Sequence, residues 1–262
     1  MKLYAGCELI YQAQEPTPLI LMLRPRSGEG QWITGETYEL EPTVPVTEYT
    51  DMYGNVAQRL VTTAGLFRIR TTVEVETAEA IDVMTGAPFT PVELLPDAVL
   101  PFLLPSRYCQ VEQFGDLAAE IASDAAPGYD QAEAIRQWIH THVRYQYGTS
   151  NASTSAIETA EQRVGVCRDF AHLGIALCRS LNIPARMVVG YLYQLKPMDL
   201  HAWFEAFVGE RWYAFDATQA IPRGNRIIIA YGRDAADVAL VTQFGAITLE
   251  YMSVWVDSEP MV

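Results

Sequence analysis

The chain has 262 residues, which at roughly 150 residues per domain points to about two compact domains. Apolar residues make up 50% of it and charged residues 19%, enough burial to offset the entropy of ordering, so a disordered protein is excluded. Thirty-two acidic residues against 18 basic ones leave a net charge of -14, which repels phosphate backbones and anionic headgroups, so neither nucleic acid nor a membrane surface is an expected partner.

Apolar runs such as Pro18 to Leu23 and Ile227 to Tyr231 fall far short of the roughly 18 residues that cross a bilayer. Tyr4-Ala5-Gly6-Cys7 has the look of a lipoprotein cleavage site, but only Lys2 and Leu3 lie between it and Met1, too few for an apolar signal region. A cytoplasmic location is therefore expected.

From Lys2 to about Thr77 apolar and polar residues alternate, at Lys2 to Ala5, Leu19 to Leu23, Val56 to Thr62 and Leu66 to Val75. This period, rich in β-branched and aromatic residues, predicts strands. Breakers fall between them at Pro16 and Pro18, at Ser27-Gly28-Glu29-Gly30 and at Gly54-Asn55, a spacing that suggests a β-sandwich. Five prolines between Pro88 and Pro105 disfavour helix interiors and central strands and mark the junction, giving an N-terminal domain over 1–105 and a second over 106–262.

Beyond the junction the period becomes helical. Gly115 to Ala125 predicts one helix, and Asp130 to Arg144 another, opened by an Asp130/Glu133 capping box. A second box, Ser155 with Glu158, opens a short helix ending before Gly165. Cys167 to Leu181 carries Phe170, Leu173, Ala176, Leu177 and Leu181 on one apolar stripe. Strands return at Ala185 to Tyr193, His201 to Val208, Arg211 to Ala217, Arg226 to Tyr231 and Thr248 to Val256. The order predicts an α+β protein: a β-sandwich followed by helices packed on an antiparallel sheet.

The four cysteines, Cys7, Cys109, Cys167 and Cys178, contain no C-x-x-C pair, and the histidines no H-E-x-x-H; His140 and His142 are two apart on a predicted helix and face differently. No disulfide framework, metal or cofactor is expected. A lone cysteine usually packs a core. Cys167, however, follows Gly165-Val166 where a helix begins, so its sulfur would meet the positive end of the helix dipole, where a thiolate is stabilised.

A thiolate mechanism needs a proton carrier, and His201 is the best placed histidine, at the start of a strand just after a loop. Val208-Gly209-Glu210-Arg211 suits a two-residue type II′ hairpin. In that register Trp203 faces Asp216, and His201 follows two residues on along the same face, within about 7 to 8 Å of the aspartate at the backbone. A slip of one residue would send the two side chains to opposite faces. Trp203 would shield the pair from water.

Gly165-Val166-Cys167-Arg168-Asp169-Phe170-Ala171-His172, Asn182-Ile183-Pro184-Ala185-Arg186 with Gly190-Tyr191, His201-Ala202-Trp203-Phe204-Glu205 and Phe215-Asp216-Ala217-Thr218 together resemble the bacterial transglutaminase-like superfamily, described broadly as cysteine proteases. Tyr231 to Val238 is also similar to that family's tail, and the likeness covers about 110 to 262; the β-rich start resembles the region usually paired with this core. The resemblance implies a papain-like arrangement with Cys167 as nucleophile, His201 as general base and acid, and Asp216 as orienting carboxylate. It departs from the family at Ala217, where relatives commonly carry proline.

The chemistry implied is acyl transfer on a peptide or amide substrate through a thioester, with water as acceptor for hydrolysis or an amine for transamidation. A binding module without catalysis is the alternative from another class, and retention of all three residue types argues against it. For the oxyanion the Cys167 backbone N–H is the natural donor, with Tyr145, Gln146 or Tyr147 as candidates for a second; Trp203 joins Tyr145 and Tyr147 as a candidate for substrate contact. Asp169 is expected to complement the helix dipole, and His172 to be structural. Cys178, about three turns and roughly 16 Å beyond Cys167, is too distant to resolve a disulfide; Cys7 and Cys109 are expected in the core.

Overall fold

Alternation of buried and exposed residues builds the first half of the chain. The computed structural model describes residues 1–28 and 30–259, so Glu29 of the predicted breaker and 260–262 lie outside the described residues. In β1 (Lys2–Ala13) the odd positions Leu3, Ala5, Cys7, Leu9, Tyr11 and Ala13 are all buried. The strands β2 (Pro18–Arg24), β3 (Gln31–Glu41), β4 (Val46–Thr50), β5 (Val56–Val61) and β6 (Gly65–Thr77) follow, and β6 repeats the pattern with Phe67, Ile69, Thr71, Val73 and Val75 turned inward.

The Pro-rich stretch forms 3-10 turns at Val92–Leu94 and Leu100–Leu103. Then come α1 (Gly115–Ile121), α2 (Tyr129–His142), β7 (Arg144–Tyr145), α3 (Ala156–Gln162), β8 (Val164–Gly165) and α4 (Cys167–Ser180). The chain closes with β9 (Ala185–Leu192), β10 (His201–Val208), β11 (Arg211–Phe215), β12 (Arg226–Gly232), β13 (Val241–Gln243) and β14 (Ile247–Asp257).

The three larger sheets run β14-β1-β6-β3, β13-β2-β5-β4 and β11-β10-β9-β12. The first two share a core that includes Cys7, Leu9, Leu19, Leu21, Leu60, Phe67 and Ile69, which makes the predicted sandwich. One prediction changes here. Thr248 to Val256 was expected in the second sheet, on the far side of the junction at 105/106, yet β14 pairs with β1, placing Val254 opposite Cys7 and Val256 opposite Ala5, and β13 pairs with β2. Period-2 patterning specifies a strand and its buried face, not its partner, so residues 241–257 return to the sandwich.

Two local signals also resolve differently. Asp130 and Glu133 do not cap α2: its N-cap is Gly128, whose N–H is accepted by Gln131, while Asp130 accepts the Gly86 N–H and Glu133 pairs with Arg136. Gly128 stands at φ +110 with no room for a Cβ, which would come within 2.3 Å of the Ala87 carbonyl oxygen, so close packing on the Pro88 segment fixes the start. The Ser155 box forms, with the Ser155 N–H donating to Glu158.

The third sheet is sandwiched between α4 and the ends of the first two. Every residue of β9 and β10 is buried, and one apolar cluster joins Leu3, Val73 and Val75 through Tyr191 and Ile227 to Leu173 and Leu177 of α4. Gly174 lets the helix seat on β10, because a Cβ there would lie 2.4 Å from the Phe204 ring. Gly174→Ala is therefore expected to lower stability by about 2 kcal/mol in urea unfolding, although alanine is the better helix former by about 1 kcal/mol. A neutral or stabilising result would mean that α4 and β10 separate more easily than this contact implies.

Candidate active site

The cysteine helix begins where it does because Gly165 and Asp169 fit together. A Cβ on Gly165 would come within 2.8 Å of the Asp169 side chain, and Asp169, fully buried, accepts the Val166 N–H through Oδ2 at 2.9 Å. Its Oδ1 accepts from Ser150 Oγ at 2.9 Å and pairs with Arg168. Asp169 thus does more than complement the dipole: it ties the helix start to the preceding loop. Cys167 is half-buried at the first position of α4.

The β10–β11 hairpin has the expected register, with Phe204 opposite Phe215 and Val208 opposite Arg211. Its turn is of the type I′ class rather than II′, since both Gly209 and Glu210 have positive φ, 54° and 66°. The loop length is unchanged, so the register stands. Beyond the last pair, His201 Nε2 lies 2.8 Å from Asp216 Oδ2, both side chains almost wholly buried. A carboxylate only accepts, so Nε2 carries the proton and Nδ1 is the ring atom left for Cys167.

Two further donors reach Asp216. Arg226 Nη2 donates to Oδ2 at 2.9 Å, and Thr218 donates to Oδ1 through its N–H at 3.0 Å and its hydroxyl at 2.7 Å. Burial would raise the carboxyl's pKa, but His201, Arg226 and Thr218 overcome it and hold Asp216 well below the usual carboxylate range. Burial likewise disfavours the imidazolium, yet Asp216 and the neighbouring Cys167 sulfur raise His201 to about 9. The ring is thus biased towards its charged form beside the Cys167 side chain. The aspartate loop is held by α2, where Arg136 donates to the Gln219 carbonyl and His140 Nδ1 to the Ala217 carbonyl at 3.0 Å. That contact fixes the Ala217 backbone.

The parallel pairing of β7 with β8 sets Tyr145 opposite Gly165, and the Gln146 N–H donates to the Gly165 carbonyl. The Tyr145 hydroxyl meets the Cys167 backbone N–H; burial, with the sulfur and Tyr147 nearby, pushes its phenol far above the ordinary value, so it stays protonated. The Tyr147 hydroxyl donates to Asp199 Oδ2 at 3.1 Å, tying the loop before His201 to this segment. Gln146 is exposed. Trp203 is 2% exposed, its ring 6.1 Å from that of His201 and under the Arg226 guanidinium, and its Nε1 meets no partner among the described residues.

The remaining candidates behave as core. His172 is fully buried, stacks on Tyr108 and accepts the Ala235 N–H through Nε2; burial lowers its pKa to about 3, so it is neutral. Burial raises the thiol pKa of Cys7 and Cys178, and that of Cys109 to about 12. Among the described residues no group of three or more His, Cys, Asp or Glu side chains could hold a metal ion. No described helix is long and apolar enough to cross a membrane.

A model of the transglutaminase-like superfamily matches residues 115–217, from the start of α1 through Cys167, His201 and Asp216. The chain belongs to the transglutaminase-like superfamily. Over its whole length this transglutaminase-like protein superposes on the crystal structure of a candidate cysteine protease from Cytophaga hutchinsonii, with a TM-score of 0.92 and 38% identity, covering 100% of this chain and 92% of that one. It is also 29% identical over 235 residues to an uncharacterized Mycobacterium leprae protein, covering 83% of this chain and 82% of the relative. A Mycobacterium bovis protein is 26% identical over 248 residues, covering 82% and 77%. The Cytophaga match takes in the sandwich as well as the core, so the pairing of the two is shared with that relative.

Proposed function

We propose that this transglutaminase-like protein is a cysteine-dependent hydrolase of amide or peptide bonds, with Cys167 as nucleophile, His201 as general base and acid and Asp216 as the carboxylate that orients the ring. The observation that carries the reading is the 2.8 Å contact between His201 Nε2 and Asp216, which leaves Nδ1 for the thiol at the head of α4. The thiolate attacks the carbonyl carbon, and the negative charge moves to oxygen, met by the Cys167 N–H and the Tyr145 hydroxyl. The C–N bond breaks as His201 Nδ1–H protonates the departing amine, leaving a thioester on Cys167. Neutral His201 then takes a proton from water, whose oxygen attacks the thioester; the carbon–sulfur bond breaks, releasing acid and restoring the thiolate–imidazolium pair.

The same thioester would pass to an amine if one displaced water, and that would be transamidation. Incubation with a panel of peptide amides, with intact-mass detection of an acyl adduct on Cys167, tests the reading. Acid release without incorporation of a fluorescent primary amine is expected. Incorporation into a glutamine-bearing protein would replace hydrolysis with transamidation, and absence of any adduct across the panel would count against catalysis.

Mild alkylation near pH 6 is a simpler check. Cys167 is expected to react with iodoacetamide well ahead of Cys7, Cys109 and Cys178, which are buried and whose pKa values are raised. It should also react faster than the same residue in urea-unfolded protein, and equal rates there would remove the case for an activated thiol. The four free thiols also fit a cytoplasmic setting. We further place the division of the chain between a sandwich unit of 1–77 with 241–257 and a catalytic unit of 106–232, on the strand pairing.

A further inference from the structure

We propose that Arg226 is a positioning residue of this site, seated by the N-terminal half of the chain and holding the Asp216 carboxylate that orients His201. The proposal rests on the triad reading above and extends it to a residue outside the 115–217 core.

Arg226 opens β12 and is 7% exposed. Its guanidinium is fixed in three ways: Nη2 donates to Asp216 Oδ2 at 2.9 Å, Nε donates to the Arg223 carbonyl at 2.8 Å, and the plane sits 4.8 Å over the Trp203 ring centroid. Its backbone is fixed from the sandwich side. Thr77, the last residue of β6, donates its hydroxyl to the Arg226 carbonyl at 2.7 Å, and the Asn225 N–H donates to the Ala78 carbonyl at 2.9 Å. Gly224 packs so closely that a Cβ would lie 2.1 Å from the Glu79 carbonyl oxygen. A continuous set of contacts therefore runs from β6 through Arg226 to Asp216 and His201, and gives the sandwich a part in holding the site.

Two cations converge on one carboxylate oxygen, and this sets how tightly His201 keeps its proton. The charged and titratable groups facing the ring are Cys167 from α4, Asp216 after β11 and, through that carboxylate, Arg226 from β12; Tyr145 of β7 stands beside Cys167. The nearby Arg223 guanidinium points to Gln219 and the Tyr193 carbonyl. With Arg226 present, the aspartate is neutralised in part whether or not the ring is charged. Without it, only the imidazolium answers the buried carboxylate, so the ring holds its proton to higher pH.

The test alkylates Cys167 in the full chain with iodoacetate from about pH 5 to about pH 11. An anionic reagent is drawn by the imidazolium and loses that attraction as the ring deprotonates, so the wild-type rate is expected to fall along an alkaline limb near pH 9. Arg226→Gln is expected to move that limb up by about one unit, Arg226→Lys to leave it near the wild-type position, and Thr77→Val to move it in the same direction by less. An unmoved limb in folded Arg226→Gln would overturn the role. Should that variant fail to fold, Thr77→Val decides: a shifted limb supports the role and an unmoved one overturns it. A wild-type protein with no alkaline limb would overturn the triad reading itself, a failure visible before any variant is made.

Discussion

Cys167→Ala is expected to abolish amide turnover, with a loss on the order of 10^3 to 10^6-fold in kcat, because the proposed nucleophile and the covalent intermediate it would form disappear together. The same change should barely alter stability, by less than about 1 kcal/mol, since the side chain is half-buried. The pairing of a large kinetic effect with a small thermodynamic one is the signature of a group present for chemistry. Steady-state assay beside urea unfolding measures both. A variant retaining a tenth of the wild-type rate would show that the thiol is not the nucleophile.

Asp216→Asn should cost on the order of 10^2 to 10^4-fold in kcat although it is nearly isosteric. The reason lies in the count of donors. Oδ2 accepts from His201 and Arg226, and Oδ1 accepts the N–H and hydroxyl of Thr218. An amide can answer only one of these sides. If its NH2 faces His201, the ring must accept at Nε2 and carry its proton on Nδ1, the wrong tautomer to take a proton from the thiol. If it faces Thr218, an N–H is set against an N–H.

The variant should also change how stability depends on pH. The folded-state pKa of His201, about 9, lies above its ordinary value of about 6.5, so the stabilisation is complete below about pH 6.5 and is lost as pH rises through about 9. Asp216 is shifted the other way, and its contribution is present above about pH 4 and lost as pH falls further. Wild-type urea midpoints should therefore drop between about pH 6.5 and about pH 9, and Asp216→Asn should flatten that drop. A variant that keeps both the wild-type rate and the wild-type slope would detach Asp216 from His201.

The side chains that sequence reasoning brings together are those whose placement is local. A two-residue turn at Gly209-Glu210 sets the β10–β11 register, and from the register alone His201 and Asp216 become neighbours. Gly165-Val166 before Cys167 marks a helix start for a physical reason, since only glycine leaves room for Asp169. The turn type escaped because Glu210, exposed at the tip, takes the positive φ that a II′ turn would not require there. Arg226 had no comparable signal: it reaches Asp216 across the sheet, with β9 and β10 standing between β12 and β11, and reads in the sequence only as the start of a strand. β3 and β4 were missed because they lie at sheet edges, where exposed side chains blur the alternation. β14 was recognised as a strand but assigned to the wrong sheet, because its partner lies at the far end of the chain.

That pairing bears on how the molecule is made. Tyr4 stands opposite Asp257, so β1 leaves the ribosome long before the strand that covers its open edge exists. It has β6 to pair with meanwhile, but its other row of N–H and C=O groups waits through synthesis of the entire transglutaminase-like half. Completion of the sandwich is thus a late event in biogenesis, and a nascent chain stalled before Val241 should be more sensitive to protease and more prone to self-association than one released after Asp257.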